Sequence, residues 1–198
     1  MSVEAIPSDD VPAEELRFNF LSGRLCLAFV ATVGERRRGK YERLRRPADL
    51  ARWYQEAEVL DAPITITSGG LETARALREA IYRPAQRLVS GLAPAAEDEE
   101  VINAAAAFPP LVPVLRSGTA RLNPPPTGAE RAALSTLARD AIDLFTHVDA
   151  ARIRECAGPE CGLLFVDTSR PGRRRWCSSA ACGGKDRAAA YRRRKRAQ

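Results

Sequence analysis

The sequence is poor in the groups that most enzymes use for acid–base work. Its 198 residues include a single histidine, His147. Nothing in it reads as a P-loop, a dinucleotide-binding glycine fingerprint or a paired nucleophile and base. Long apolar runs are missing too. The longest stretch without charge, Val101 to Leu115, is broken by Pro109, Pro110 and Pro113 and is too short to cross a bilayer. The first residues carry Glu4, Asp9 and Asp10, with no basic segment ahead of an apolar core, so a secretory leader is not expected. These absences place an enzyme and a membrane protein last among the function classes. With 45% hydrophobic and 28% charged residues the chain reads as globular, and a cytoplasmic, bacterial-type protein is the expectation.

Cysteine is scarce but concentrated. Four of the five, Cys156, Cys161, Cys177 and Cys182, form C-x4-C-x15-C-x4-C. Two short pairs separated by a longer loop is the spacing of a tetrahedral metal site, each pair supplying two sulfurs from a turn. A reducing cytosol favours metal thiolates over disulfides, so one structural Zn2+ is the expected cofactor; two disulfides are the alternative for a secreted chain. Four sulfur ligands close zinc's coordination shell and leave no place for an activated water. Cys26 lies in the apolar run Leu25 to Val30 and is expected to pack as a small hydrophobe.

Charge is divided along the chain. Residues 170–198 hold eleven Lys or Arg and one acid, Asp186, a net of +10, while the other 169 residues net to −4. A strongly cationic end on a near-neutral body points to a polyanion partner, and duplex DNA is the expected one. The candidate contacts are Arg173, Arg174 and Arg175 between the cysteine pairs, then Lys185, Arg187, Arg192, Arg193, Arg194 and Lys195 after the last cysteine. Tyr191 and Trp176 are placed to stack on bases, although Trp176, beside a ligand, reads first as packing around the metal. A second basic run, residues 36–46, has seven cations and one acid, Glu42. It reads as a solvated loop ahead of a second anion contact.

The periodicity predicts a mainly α fold. Residues 1–16 read as an acidic arm. A helix is expected over Arg24 to Glu35, and another from Pro47 through Leu60. A long one is expected from about Leu71 to Leu92, kinked or broken near Arg83 by Pro84. Pro94 to Phe108 reads as a helix with Glu97 to Glu100 at the positive end of its dipole. Leu111 to Leu122 alternates around Ser117-Gly118 and predicts a short β-hairpin. Thr127 and Glu130 fit a capping box that opens a helix reaching about Ala151. The division expected is a helical domain over 1–151 and a zinc module over 152–198. In that module, Leu163 to Val166 and the basic segment ending at Trp176 read as two strands of one hairpin. A helix capped by Ser178 then holds Cys182 in its first turn. This is a treble-clef-like plan. Asp167 reads as a brace for the hairpin or a partner for an arginine.

These residues carry a resemblance. Arg152-Ile153-Arg154, Cys161-Gly162, Leu164 to Asp167, Ser169-Arg170, Arg174 to Ser178 and Cys182-Gly183 resemble the bacterial CGNR zinc-finger proteins with an N-terminal ABATE-type domain. Gly23 to Thr32 is similar to that family's opening helix. The family's naming tetrad, Cys-Gly-Asn-Arg, stands here as Cys182-Gly183-Gly184-Lys185, and its usual Asn before Thr32 is Ala31. Lys185 keeps the charge and loses the arginine fork. The resemblance implies a proposed stress-induced transcription regulator that binds zinc and nucleic acid. The alternative is a ligand-sensing or protein-interaction module whose zinc site is purely structural, with a small-molecule effector held by the helical domain. Oligomeric state is left open by either reading.

Overall fold

A computed structural model describes residues 14, 16–37 and 41–196. The acidic arm, and Arg38 and Lys40 of the second basic run, fall largely outside them. The chain order is α1 (Leu25–Val30), β1 (Val33–Gly34), β2 (Tyr41–Glu42), α2 (Pro47–Glu56), α3 (Ser68–Val89) and α4 (Ala96–Ala106). There follow β3 (Val112–Arg116), β4 (Thr119–Asn123), α5 (Ala129–Thr146) and a 3-10 turn over Val148–Arg152. The chain then forms β5 (Ile153–Glu155), β6 (Leu164–Val166) and α6 (Cys182–Arg196). The fold is mainly helical, with three separate antiparallel two-stranded pairs.

The apolar stripes of α1, α2, α3 and α5 close on one core. Phe29, Trp53, Tyr54, Leu77, Ile81, Leu137 and Leu144 are fully buried in it. Trp53 is packed between Phe29 and Tyr54, at centroid distances of 5.2 and 5.5 Å. Asp140 ties α5 to the start of α1. It accepts from the Cys26 N–H at 2.8 Å and from the Arg24 guanidinium. That satisfies one of the donors a helix N-terminus leaves unpaired. Cys26 is wholly buried, as its apolar neighbours imply.

Several local expectations are corrected. The first helix stops at Val30 rather than Glu35. Thr32 turns back on Phe29, and Thr32 and Val33 pair with the β2 side instead, with Arg43 N–H on Thr32 O at 3.0 Å. The break that is one of the two outcomes expected near Arg83 does not occur, and helix α3 continues through Pro84. Burial of Leu77, Ile81 and Ala85 around it outweighs the ~3 kcal/mol that an interior proline costs. Helix α3 also starts earlier than its apolar stripe, because Thr67 caps it through Gly70 N–H at 2.9 Å. Thr127 does not cap α5. Gly128, in a left-handed conformation, precedes the helix, and Glu130 reaches across to accept from Thr67 N–H. Helix α5 ends at Thr146, with the 3-10 turn completing the path to Arg152. The hairpin at residues 112–123 forms as expected, with Leu115 of β3 80% exposed.

A further correction concerns the cysteine module. Strand β6 pairs with β5, Ile153 opposite Val166, and not with the basic segment that follows it. The alternation of β6 then serves two cores. Leu164 and Val166 join the core of the helical body, while Phe165 faces the cysteines. Val166 N–H also donates to Ser22 O at 2.9 Å, so the module is docked on the segment that leads into α1.

Candidate metal centre and basic surface

The two cysteine pairs arrive from different elements. Cys156 follows β5 and Cys161 closes the turn after it, with Cys161 N–H on Gly158 O. Cys177 ends the basic segment, and Cys182 is the first residue of α6. Two interactions hold the return of the chain. Asp167, completely buried, accepts from Ser169 N–H at 3.0 Å and from Arg174 N–H at 2.8 Å. Ala157 N–H donates to Arg175 O at 2.8 Å. These single bonds do the job that a second strand was expected to do. Ser178 caps the turn before α6 through Ala181 N–H at 3.1 Å.

The four Sγ atoms lie within 4.8 Å of one another. Cys161 and Cys177 are 3.7 Å apart at sulfur, and Cys177 and Cys182 3.6 Å. A disulfide needs about 2.05 Å. A tetrahedron with metal–sulfur bonds of about 2.3 Å has edges of about 3.8 Å, so the observed spacing suits a zinc thiolate cluster. Its surroundings are equally tight. A Cβ added at Gly158 would stand 3.2 Å from Cys161 Cβ, 3.5 Å from Cys182 Sγ and 3.6 Å from Cys156 Sγ. Cys177 N–H donates to Cys156 Sγ at 3.4 Å, an orienting bond typical of bound thiolates.

The thiols do not ionise independently. Hydrogen bonds from Cys161 and Cys177 hold Cys156 far below the usual thiol value. The same contact with Cys156 pushes Cys161 up to about 12, and Cys177 rises for the same reason. Burial, then the charge on Cys156, raises Cys182. Four sulfurs this close need a cation before all of them can carry charge. A divalent ion such as zinc supplies it when bound, and cross-links the two pairs. The chemistry of the donor set therefore fits one Zn2+.

Phe165 and Trp176 pack the cluster, which is the structural role rather than a stacking platform for Trp176. Arg174 is drawn into the same frame. Its guanidinium donates to Trp176 O at 2.8 Å and to Cys177 O, and lies over the Phe165 ring at 4.6 Å. Arg173 and Arg175 remain exposed, Arg175 lying over Trp176. On α6, Lys185, Arg187 and all of Arg192 to Arg196 are exposed. Arg187 also donates to Ser179 O at 3.1 Å. Among the described residues none of these α6 cations makes an ion pair.

Among the described residues of the second basic run, Arg36, Arg37 and Arg43 are tied to other segments rather than free in a solvated loop, and spacing alone had no means of showing that. Arg36 pairs with Glu79 of α3 at 2.9 Å and covers the Tyr82 ring. Arg37 pairs with Glu155, next to Cys156, at 2.7 Å and donates to Gly158 O at 3.3 Å. Arg43 is buried, donating to Ala31 O. Glu42, the run's one acid, holds the buried Arg78 at 2.7 Å. These cations fasten the loop to α3 and to the first cysteine turn.

Comparison with known proteins agrees with this layout. No curated protein matches the chain. Among protein-family models, ABATE, described as "Putative stress-induced transcription regulator", matches residues 23–148, more than half of the sequence. The CGNR zinc finger model matches residues 152–195, which hold all four clustered cysteines. The chain therefore belongs to the ABATE family and carries a CGNR zinc finger at its C-terminal end.

Proposed function

We propose that this chain is a transcription regulator that binds duplex DNA through the basic surface of its zinc module. One observation carries the reading. Helix α6 starts at a zinc ligand and presents seven exposed cations that have no ion-pair partner among the described residues. Fifteen residues give it a length of about 22 Å, enough to follow a groove across several phosphates. The contact set is Arg173, Arg175, Lys185, Arg187, Arg192, Arg193, Arg194 and Lys195. Arg174, committed to the frame of the cluster, acts by holding that surface in place. Tyr191, 61% exposed on the same helix, adds a ring for contact with sugar or base.

In this reading the helical domain over 1–151 is the partner of a DNA-binding module over 152–198, whose β5–β6 pair and helix make a treble-clef-like frame. The metal site is structural. Four thiolates fill the tetrahedral positions, and His147, at the end of α5, stands outside the cluster. Thiolate ligands also suit a cytoplasmic protein. No helix among the described residues is long and apolar enough to cross a membrane.

The test is fluorescence anisotropy with a random-sequence duplex of about two turns, titrated at several KCl concentrations. About six phosphate contacts predict a fall in affinity of about 10³-fold between 50 and 200 mM salt. Cys177→Ser is expected to lose zinc and DNA binding together. Absence of binding at 50 mM salt, or an affinity indifferent to salt, would sink the proposal.

A further inference from the structure

A cavity of about 340 Å³ lies between α3, α4 and α5. Its walls are Ala76 and Leu77 of α3, Ala104 and Ala105 of α4, and Leu134 of α5. The three alanines create the space, since larger side chains there would fill it. Phe108 and Arg131 also line it, with the guanidinium carbon 4.3 Å from the centre of the ring. Gly128 makes room for that ring. A Cβ there would come within 2.9 Å of Phe108 Cζ, and the glycine's φ of +75° is a conformation other residues rarely adopt.

Arg131 differs from the other arginines of these helices. Arg75 pairs with Glu72, Arg78 with Glu42 and Arg83 with Asp98. Arg139 donates to Ala106 O and Ser135 Oγ. Arg131 makes no ion pair among the described residues. Its contact with Phe108 places the guanidinium carbon over the ring, and its N–H fork, shaped for a carboxylate, has no carboxylate partner among the described residues.

We propose that this cavity binds a small ring-bearing carboxylic acid in its anionic form. The ring lies on Leu77, Leu134 and Phe108, and the carboxylate meets the edge of Arg131. The volume is at the small end of the ~300–1,000 Å³ usual for ligand sites, which suits one or two rings and is too little for a nucleotide. A neutral ring would leave the arginine unused, and a cation would be repelled by it. The wall residue Leu77 lies two positions before Glu79, the residue that holds Arg36 beside the first cysteine turn. An occupied cavity therefore bears on the same helix that anchors the zinc module.

The experiment is calorimetric titration of the full-length, zinc-loaded protein with benzoate, with 1-naphthoate and with the uncharged 1-naphthamide. Saturable one-to-one binding of at least one acid is expected, with the amide at least about tenfold weaker, as loss of a charge-assisted pair implies. Arg131→Gln should weaken the acid at least tenfold and leave the amide unchanged. Ala104→Leu, at an exposed wall position, should abolish binding of acid and amide alike. The proposal is overturned if neither acid binds saturably at millimolar concentration, if acid and amide bind equally, or if Arg131→Gln has no effect. The amide comparison and the exposed Arg131→Gln variant decide the matter even if Ala104→Leu does not fold. None of these readouts depends on DNA.

Discussion

Replacing Asp167 by Asn tests how the second cysteine pair is held. The change keeps the size of the side chain and removes its charge. In the native site both carboxylate oxygens accept, one from Ser169 N–H at 3.0 Å and the other from Arg174 N–H at 2.8 Å, with no exposure to water. Whichever way an amide is turned, its NH2 faces one of those two N–H groups. The variant loses one charge-assisted hydrogen bond, worth about 1.5–3 kcal/mol, and strands a buried donor at about 1–3 kcal/mol. The two terms overlap, so about 3 kcal/mol is the expected total. Folding of the module and metal binding share one free energy. At about 1.4 kcal/mol per tenfold the zinc affinity should fall about 100-fold. The Ser169 hydroxyl outweighs the opposing effect of burial and, with the Arg174 and Ser169 N–H groups and the Arg152 charge, holds Asp167 below the usual carboxylate range. Its contribution is thus complete above the ordinary carboxylate pKa and is lost only as pH falls through the depressed value. The difference between native and variant should be flat from about pH 6 to 8. Competition with a chromogenic chelator measures it. A zinc affinity within about threefold of the native protein would refute the reasoning.

Three further outcomes separate the parts of the molecule. Arg192→Ala should weaken DNA binding and lower the salt slope by about 0.9, leaving zinc affinity unchanged, whereas Arg174→Ala should weaken zinc binding first; chelator competition and anisotropy on both variants distinguish them. Burial opposes ionisation of Glu79, but Arg36 and Arg78 prevail and hold it at about 2, below its ordinary 4.5. Its stabilising effect is therefore full above about pH 4.5 and lost as pH falls towards 2, and the stability gap between native protein and Glu79→Gln should close over that window in urea melts. Trp53→Ala removes a fully buried ring from the contact with Phe29 and should cost about 3–5 kcal/mol, or roughly 6–20 °C in melting temperature by calorimetry.

The cysteine spacing carried the metal site in full because tetrahedral ligation is a matter of pair separation, which a sequence displays directly. The long stripes of α3 and α5 were legible for the same reason, since a 3.6-residue period needs no partner to be seen. What stayed hidden was decided between distant segments. Glu130 looks like a local cap beside Thr127, yet it accepts from Thr67 N–H, 63 residues away. The partner of β6 could equally have been the basic segment after it or Ile153 to Glu155 before it, and alternation in Leu164 to Val166 suits both. Arg36, Arg37 and Arg43 look like any charge run until Glu79, Glu155 and the Ala31 carbonyl are placed beside them. The cavity beside Phe108 depends on three alanines from two helices, and nothing in the order of residues brings those together.

Helix α6 buries only Gly183 and has no apolar stripe to rest on a neighbour. A 15-residue helix without tertiary support is marginal in water. It is in effect a short polyelectrolyte clamped at one end, where Cys182 fixes its first turn, and crowded with like charge at the other. Salt then acts on it in two opposed ways. Screening relieves repulsion among Arg192 to Arg196, so the free helix becomes better ordered and costs less to align on a duplex. The same screening weakens attraction to phosphate. The measured salt slope for DNA will therefore be shallower than the number of phosphates touched, and a contact count taken from that slope alone will come out too low.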